Sequence, residues 1–400
     1  MKSTPKRVLI LGGGFAGVAA AKVLSSSSKV QVTLIDRSSY HIYHASLYEA
    51  AAEEVTRETV AIPLRQIFAG TKVQVLKDDV LKADKKSRAV FLKSGGRHTY
   101  DFLVLSLGAI SNDFGVKGVR EHAFMFREFK ETILLRDNIR TTFHLASERG
   151  QEKVRVVICG GGFSGVELAA ELRHHLEKLR GEYPAEKVEI TILEAGPQIL
   201  PGLDPRAVGL ALAKLKDLKI EVVTSDPVAE VKKDGVRLKS GLWVPSDLTV
   251  WAAGTKAHGL PEQMALPLDD RGRPAVNEFL AVLGHPEIYA AGDLAGFTDP
   301  KTGRGIPPQA YNAIEMGKVA GENIIRSISR IPLKKFKPGP VSYIIPVGHN
   351  FAISYLDGQV SSGWGPSFLR KLIELRYLSS LFGPLQAWPI FWAEVKVRAE

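Results

Sequence analysis

The residues of this chain best placed to do chemistry are glycines at fixed spacing. Residues 7–24, RVLILGGGFAGVAAAKVL, recur 148 positions later at residues 155–172 as RVVICGGGFSGVELAAEL, with eleven of eighteen positions identical. In each copy an apolar strand runs into G-x-G-x-x-G and then into an Ala-rich helix. Gly12 and Gly160 permit the tight turn, Gly14 and Gly162 let backbone approach a pyrophosphate, and Gly17 and Gly165 let the helix lie close on the sheet. The helix N-terminus adds unpaired N–H groups and a partial positive charge. A lone fingerprint of this kind also arises from packing alone, but here each is followed by a second strand that ends in an acid, VTLID at Asp36 and ITILE at Glu194. An acid in that place accepts hydrogen bonds from ribose hydroxyls. Two such sites in one chain imply a flavin fed by a nicotinamide nucleotide.

After Glu194 come Ala195, Gly196 and Pro197, with no Arg to receive a 2′-phosphate, so the second site is expected to prefer NAD over NADP. Arg37 after Asp36 is ambiguous. Something late in the sequence must complete the first site, and IYAAGD (288–293) offers a second glycine-bounded contact, Gly292–Asp293, for the larger cofactor. The plainer reading is a core strand capped by a Gly-Asp turn. DFLVLSLGA and DLTVWAAGT lie 146 residues apart in equivalent places and end in turns at Gly108 and Gly254. The expected fold is α/β, with two Rossmann-like dinucleotide-binding domains, the second inserted in the first, each a mainly parallel sheet layered by helices. The first domain takes residues 1–115 and 270–330, the second 116–269, and residues 331–400 form a C-terminal strand and helix region. The second copy carries ten extra residues around HHLEKLRGEYPAEK (174–187), read as a longer exposed helix and loop.

Four hundred residues, 45% hydrophobic and 24% charged, suit a soluble globular chain of two or three domains. No run of ~18 apolar residues is present to span a bilayer as a helix. MKSTPKR leads directly into the first strand and leaves no room for a signal peptide, so a cytoplasmic protein is expected. A single cysteine, Cys159, cannot relay electrons through an internal disulfide, and its place at the end of a buried strand makes it a small core residue. Electrons must therefore leave directly from the flavin. His174–His175 lie on a polar helix and His41 and His44 in a probable loop; with no Cys beside them and no HExxH, no metal is expected. Lys232–Lys233 and Asp84–Lys85–Lys86 are solvated turns, and the net charge of +10 comes with no nucleic-acid motif.

On the paired fingerprints, VTLIDRSSYHIYHASLYEA (32–50), TYDFLVLSLGA (99–109), SDLTVWAAGT (246–255), LEAGPQILPGLDP (193–205), IYAAGDLA (288–295) and IPPQAYNAIEMG (306–317), nearly the whole chain resembles the type II NADH dehydrogenases. These are single-subunit NADH:quinone oxidoreductases of the respiratory chain within the pyridine nucleotide-disulfide reductase superfamily. The resemblance implies FAD at Gly12, Gly14, Gly17, Asp36 and Asp293, with Phe15, Ala16, Arg37, Gly108 and Gly292 in the same site. It implies NADH at Gly160, Gly162, Gly165 and Glu194, with Gly254. Glu167, where the first copy has Ala19, is explained by the helix dipole if it sits in the first helical turn. In the family the matching Glu lies beside the nicotinamide and flavin rings, where it binds and orients the nicotinamide or manages a proton. The family's Ala-Gln-x-x-x-Gln stretch after Pro-Pro reads here Ala310, Tyr311, Asn312, Ala313, Ile314, Glu315. Tyr311 can donate to a quinone carbonyl, and Glu315, if partly buried with a raised pKa, can supply a proton. The implied activity is hydride transfer from NADH to FAD and two electrons onward to a quinone, without proton pumping. The alternatives are a soluble reductase serving a ferredoxin or rubredoxin-like protein, and a non-catalytic NADH-sensing flavoprotein.

Residues 326–400 hold ten Lys/Arg against four Asp/Glu. Within them SFLRKLIELRYLSSLF (367–382) reads as a helix, broken at Gly383–Pro384 and followed by Trp388, Phe391 and Trp392 beside Lys396 and Arg398. Aromatic rings with flanking cations suit an anionic membrane surface, so the expectation is a protein held peripherally on the inner face of the cell membrane. The competing reading is a homodimer contact or a helix packed back on the FAD domain, since Arg376 interrupts the apolar arc.

Overall fold

The computed structural model describes residues 4–182 and 187–399. The chain divides into two compact units, Met1–Ile42, Ile62–Ile110 and Thr255–Gly339, and Tyr43–Ala61, Ser111–Gly254 and Pro340–Glu400.

In the first unit a six-stranded sheet runs in the order Ala281–Val282, His285–Ala290, Phe102–Leu105, Lys6–Leu11, Val30–Asp36, Gln74–Lys77. All neighbours are parallel except the edge hairpin of Ala281–Val282 with His285–Ala290. The central strands read as unbroken apolar runs because both faces are covered, which leaves Val8, Ile10 and Leu11 without exposed surface. IYAAGD thus joins the sheet beside Phe102–Leu105, and Gly292–Leu294 forms a 3₁₀ turn at its end. The second unit repeats the plan with five parallel strands, Phe124–Met125, Leu248–Trp251, Lys153–Cys159, Lys187–Leu193, Ile220–Val223.

The duplication extends well beyond the glycines. The Arg7 N–H donates to Asp101 Oδ2 at 2.7 Å, and the Arg155 N–H donates to Asp247 Oδ2 at 2.8 Å, so the same acid clamps the start of the same strand in both copies. Each unit also carries a three-stranded antiparallel sheet, Val80–Asp84, Ala89–Leu92 and Arg97–Thr99 in one, Val228–Lys232, Gly235–Leu238 and Trp243–Pro245 in the other. In each an Asp closes the turn before the last strand, the Ser94 N–H donating to Asp78 Oδ1 at 3.3 Å and the Ser240 N–H to Asp226 Oδ1 at 3.1 Å.

The second unit continues into a third antiparallel sheet, Tyr343–Pro346, Ala352–Leu356 and Gln359–Gly363, and then into helices Trp364–Phe382 and Pro384–Ala399. Gly383, at φ +83°, separates the two helices where the sequence placed the break. The fingerprint helix Phe163–Glu182 covers the first part of the ten-residue insertion, whose residues 183–186 lie outside the described residues, as do the side chains of Lys396 and Arg398.

Candidate active site

Both fingerprints are built the same way. Gly12 and Gly160 take φ of +104° and +115°, the left-handed region open to glycine. A Cβ on Gly17 would lie 1.9 Å from Gly12 O, and one on Gly165 would lie 1.9 Å from Gly160 O, so each helix rests directly on the turn that precedes it. Gly14 and Gly162 differ: a Cβ there would meet nothing within 4 Å, which leaves open space of the kind a close-approaching pyrophosphate requires.

Each acid is held by its own turn. Asp36 Oδ2 accepts the Gly13 N–H at 2.6 Å and Oδ1 accepts the Ser38 N–H at 2.6 Å. Glu194 Oε2 accepts the Gly161 N–H at 2.7 Å and Oε1 accepts the Gly196 N–H at 2.7 Å. A carboxylate has about four acceptor sites, so each acid is fixed in place and still able to receive ribose hydroxyls. The donor set, the open glycines and the oriented acid fit a dinucleotide in both places.

His41 braces the first turn in a way its sequence context did not reveal. It lies in the short strand Tyr40–Ile42 rather than a loop, fully buried, with Nδ1 3.0 Å from Gly13 O and its ring edge-on to Phe15. Burial pushes it down to about 4, against the opposing pull of the Gly13 carbonyl, so the imidazole is neutral at physiological pH. Ala16 lies against the late part of the chain: a Cβ on Gly317, in helix Ala310–Ser329, would sit 2.1 Å from Ala16 O, and one on Gly292 would sit 3.2 Å from Ala16 Cβ. Asp293 is half-buried in the turn beside it, Arg37 is exposed, and Gly108 takes φ of +65°. In the second unit Gly254 takes φ of +134°, and its carbonyl accepts the Asn112 N–H at 3.1 Å.

Glu167 corrects the expectation of a first-turn carboxylate. Helix Phe163–Glu182 begins four residues earlier and has no acid in its first turn, so the dipole has largely faded there and does not account for the residue. Burial, opposed by Arg370 and helped by the smaller push of Glu171, raises the Glu167 carboxyl to about 8. Glu171, one turn on, is raised to about 7 by burial and by the neighbouring Glu54.

On helix Ala310–Ser329 Tyr311 is exposed, and its ring leaves no room for a side chain at Gly339. The Glu315 carboxylate is ion-paired with Lys318 Nζ at 2.7 Å. This is not the secluded carboxyl that a proton donor at this position requires. Asn312 is buried, and its Oδ1 accepts the Gly339 N–H at 3.3 Å.

The C-terminal helix Trp364–Phe382 brings charge inward, which its sequence did not suggest. Arg370 pairs with the fully buried Glu49, Lys371 Nζ lies 3.3 Å from Glu49 Oε1 and 3.2 Å from Glu374 Oε2, and Arg370 stands over the Tyr48 ring at 5.5 Å. Burial, reinforced by Arg370, lowers Lys371 to about 8. Arg376, read as the residue that interrupts the apolar arc, is exposed. Cys159 is fully buried, and desolvation pushes its thiol up to about 12, which removes it from redox chemistry.

The sequence is 27% identical over 394 residues to the Type II NADH:quinone oxidoreductase of Staphylococcus aureus (strain NCTC 8325 / PS 47), covering 96% of this chain and 98% of the relative. It is 28% identical over 400 residues to the protein of the same name from Staphylococcus epidermidis (strain ATCC 12228 / FDA PCI 1200), at 96% and 98% coverage. The fold is similar to that of NDH2 from Plasmodium falciparum in complex with NADH, with TM-score 0.87, 18% identity and coverage of 97% of this chain and 98% of that one. It is also similar to the sulfide:quinone oxidoreductase of Aquifex aeolicus, with TM-score 0.80, 18% identity and coverage of 95% and 92%. The family described as pyridine nucleotide-disulphide oxidoreductase matches residues 6–317, which include both glycine turns, both acids and Gly292–Asp293. By that match the chain belongs to the pyridine nucleotide-disulphide oxidoreductase family.

Proposed function

We propose that this chain is a type II NADH:quinone oxidoreductase that works through one non-covalent FAD and pumps no protons. The reading rests on one observation above all: two equivalent glycine turns, each orienting its own acid, occur in a chain whose single cysteine is buried and inert. FAD, when bound, supplies the redox chemistry, accepting a hydride and returning two electrons to the acceptor.

The protein's share is binding, orientation and proton management. In this reading residues 1–115 and 270–330 form the FAD domain, and residues 116–269 form the inserted NADH domain. Gly12, Gly14 and Gly17 with Asp36 and Asp293 hold FAD, completed by Phe15, Ala16, Arg37, Gly108 and Gly292. Gly160, Gly162, Gly165, Glu194 and Gly254 hold NADH. Glu167, raised to about 8, keeps a proton at neutral pH and can donate where a carboxylate would only accept. We therefore assign proton delivery to Glu167 rather than to Glu315, which lies on helix Ala310–Ser329 and is ion-paired with Lys318. Tyr311, exposed near the start of that helix, donates to a quinone carbonyl.

Nucleotide choice tests the Glu194 assignment. A 2′-phosphate would meet a carboxylate already fixed by two backbone N–H groups, so NADH is expected to exceed NADPH in kcat/KM by at least ~10-fold, about 1.4 kcal/mol. Equal values would remove Glu194 from the site.

A water-insoluble quinone is met at the bilayer, and no helix among the described residues is long and apolar enough to cross it. We infer peripheral attachment at the inner, cytoplasmic face through an exposed stripe of helix Trp364–Phe382: Trp364, Phe368 and Leu372, spaced by four, are 67%, 49% and 44% exposed. Trp388 and Trp392 on the next helix are exposed as well. Burying each such side chain in the headgroup layer contributes roughly 1.5–3 kcal/mol. The combined Trp364→Gln, Phe368→Gln and Trp388→Gln variant is expected to stay in the supernatant of anionic liposomes that sediment the parent, with NADH oxidation by a water-soluble quinone retained. Equal sedimentation of both proteins would leave a homodimer contact as the reading of this face.

A further inference from the structure

Glu54, Glu171 and His349 come from three separate stretches of the second unit. Glu54 follows the short helix Leu47–Ala51, Glu171 lies on helix Phe163–Glu182, and His349 occupies the turn between strands Tyr343–Pro346 and Ala352–Leu356. Each offers a ligand atom to a group in which all lie within 4.8 Å of one another. The two carboxylates are 2% exposed. Glu54 Oε2, Glu171 Oε1 and His349 Nδ1 are buried without a hydrogen-bond partner. A buried polar atom without a partner is destabilising, and three neighbouring residues that each carry one require a cause. Lys178 Nζ, 3.5 Å from Glu54 Oε1, brings a single positive charge to two carboxylates, and its side chain is exposed enough to swing away. The His349 ring stacks on His174 at 4.8 Å, and both line a cleft of about 200 Å³ with Arg173, Glu177 and Lys214. Glu177, which lines the same cleft, is exposed, and His349 is half-buried.

We propose that Glu54, Glu171 and His349 bind one divalent transition-metal ion of the Zn²⁺ class. Two carboxylates and an imidazole match the ligand preference of Zn²⁺, whereas Mg²⁺ and Ca²⁺ favour all-oxygen sets. Three protein ligands leave a tetrahedral position for water. The ion ties three stretches of chain that are distant in sequence, so its binding free energy adds to the stability of the folded state. The site uses no residue assigned to FAD, NADH or quinone, although Glu171 lies one turn from Glu167 and acts on its carboxyl. It departs from the expectation, drawn from the placement of the histidines and the lack of a neighbouring Cys or HExxH, that no metal is bound.

Tag-free, FAD-loaded full-length protein stripped with EDTA is titrated calorimetrically with ZnCl₂ and, in parallel, with MgCl₂ at pH 7.5. The expected result is one Zn²⁺ per chain, a rise in Tm on Zn²⁺ addition, and no Mg²⁺ binding. His349→Ala removes a half-buried ligand in a turn and is expected to weaken Zn²⁺ binding at least tenfold and cancel the Tm rise, with the flavin absorbance unchanged. Glu54→Gln keeps the shape of the buried site and is expected to do the same. No stoichiometric Zn²⁺ binding by the parent protein, or binding of equal affinity in both variants, overturns the proposal.

Discussion

Gly162→Val is expected to give a folded, FAD-loaded chain that has lost NADH oxidation, with kcat/KM down by at least ~100-fold, about 2.7 kcal/mol. A Cβ at this position meets nothing of the protein within 4 Å, and Gly162 does not occupy the left-handed region, so folding is expected to be spared. On the proposed assignment of the second turn to NADH, the side chain enters the path of the nicotinamide dinucleotide. The mirror experiment, Gly14→Val, places the same bulk at a position with φ −74° and equally open surroundings, and is expected to yield chain that cannot retain FAD. Absorbance of the purified variants and steady-state NADH oxidation read both outcomes. NADH oxidation at the parental rate by Gly162→Val would mean that the second turn is not the NADH site. Gly17→Ala and Gly165→Ala are poorer probes, because a Cβ 1.9 Å from a backbone carbonyl must displace the turn itself.

Arg370→Ala is expected to destabilise the chain by about 3–5 kcal/mol, the cost of leaving the buried Glu49 carboxylate without its guanidinium. Glu49 is fully buried, and Lys371, the other cation beside it, is shared with Glu374. Thermal unfolding of the FAD-loaded protein is expected to shift down by roughly 5–15 °C. The double variant Arg370→Met with Glu49→Leu removes both charges together and is expected to recover most of the loss. A midpoint for Arg370→Ala within ~1 °C of the parent would show that the pair contributes nothing to the fold. The same contact bears on truncation. Deleting residues 365–400 removes Arg370 and Lys371 along with the exposed aromatic residues and confounds docking with folding, whereas the surface substitutions at Trp364, Phe368 and Trp388 separate the two.

The glycine turns, their acids and the strand before Asp293 were legible in the sequence because they repeat a local pattern. Strand, turn and helix are contiguous, and the second copy checks the first. His41 was not legible, since its role depends on a carbonyl 28 residues earlier that only the fold brings to it. The inward charges of helix Trp364–Phe382 were hidden for a related reason. Arg370, Lys371 and Glu374 look like solvated charge on an amphipathic helix until Glu49, more than 300 residues away, is placed opposite them. Glu167 was found as a departure between the two copies, yet its position beyond the first helical turn required the observed helix start. Glu171 follows it at the next turn on the same face, a spacing present in the sequence that gains meaning only with Glu54 and Arg370 beside it.

Electrons are expected to pass directly from an NADH-reduced flavin to a quinone, with no thiol in between. Steady-state NADH oxidation by the FAD-loaded chain is measured side by side with a short-chain quinone, with a ferredoxin and with no added acceptor. Quinone-dependent turnover is expected to exceed the other two by at least ~10-fold, a difference of about 1.4 kcal/mol in the barrier. Faster turnover with the ferredoxin, or flavin reduction that stops after one equivalent with every acceptor, would contradict it.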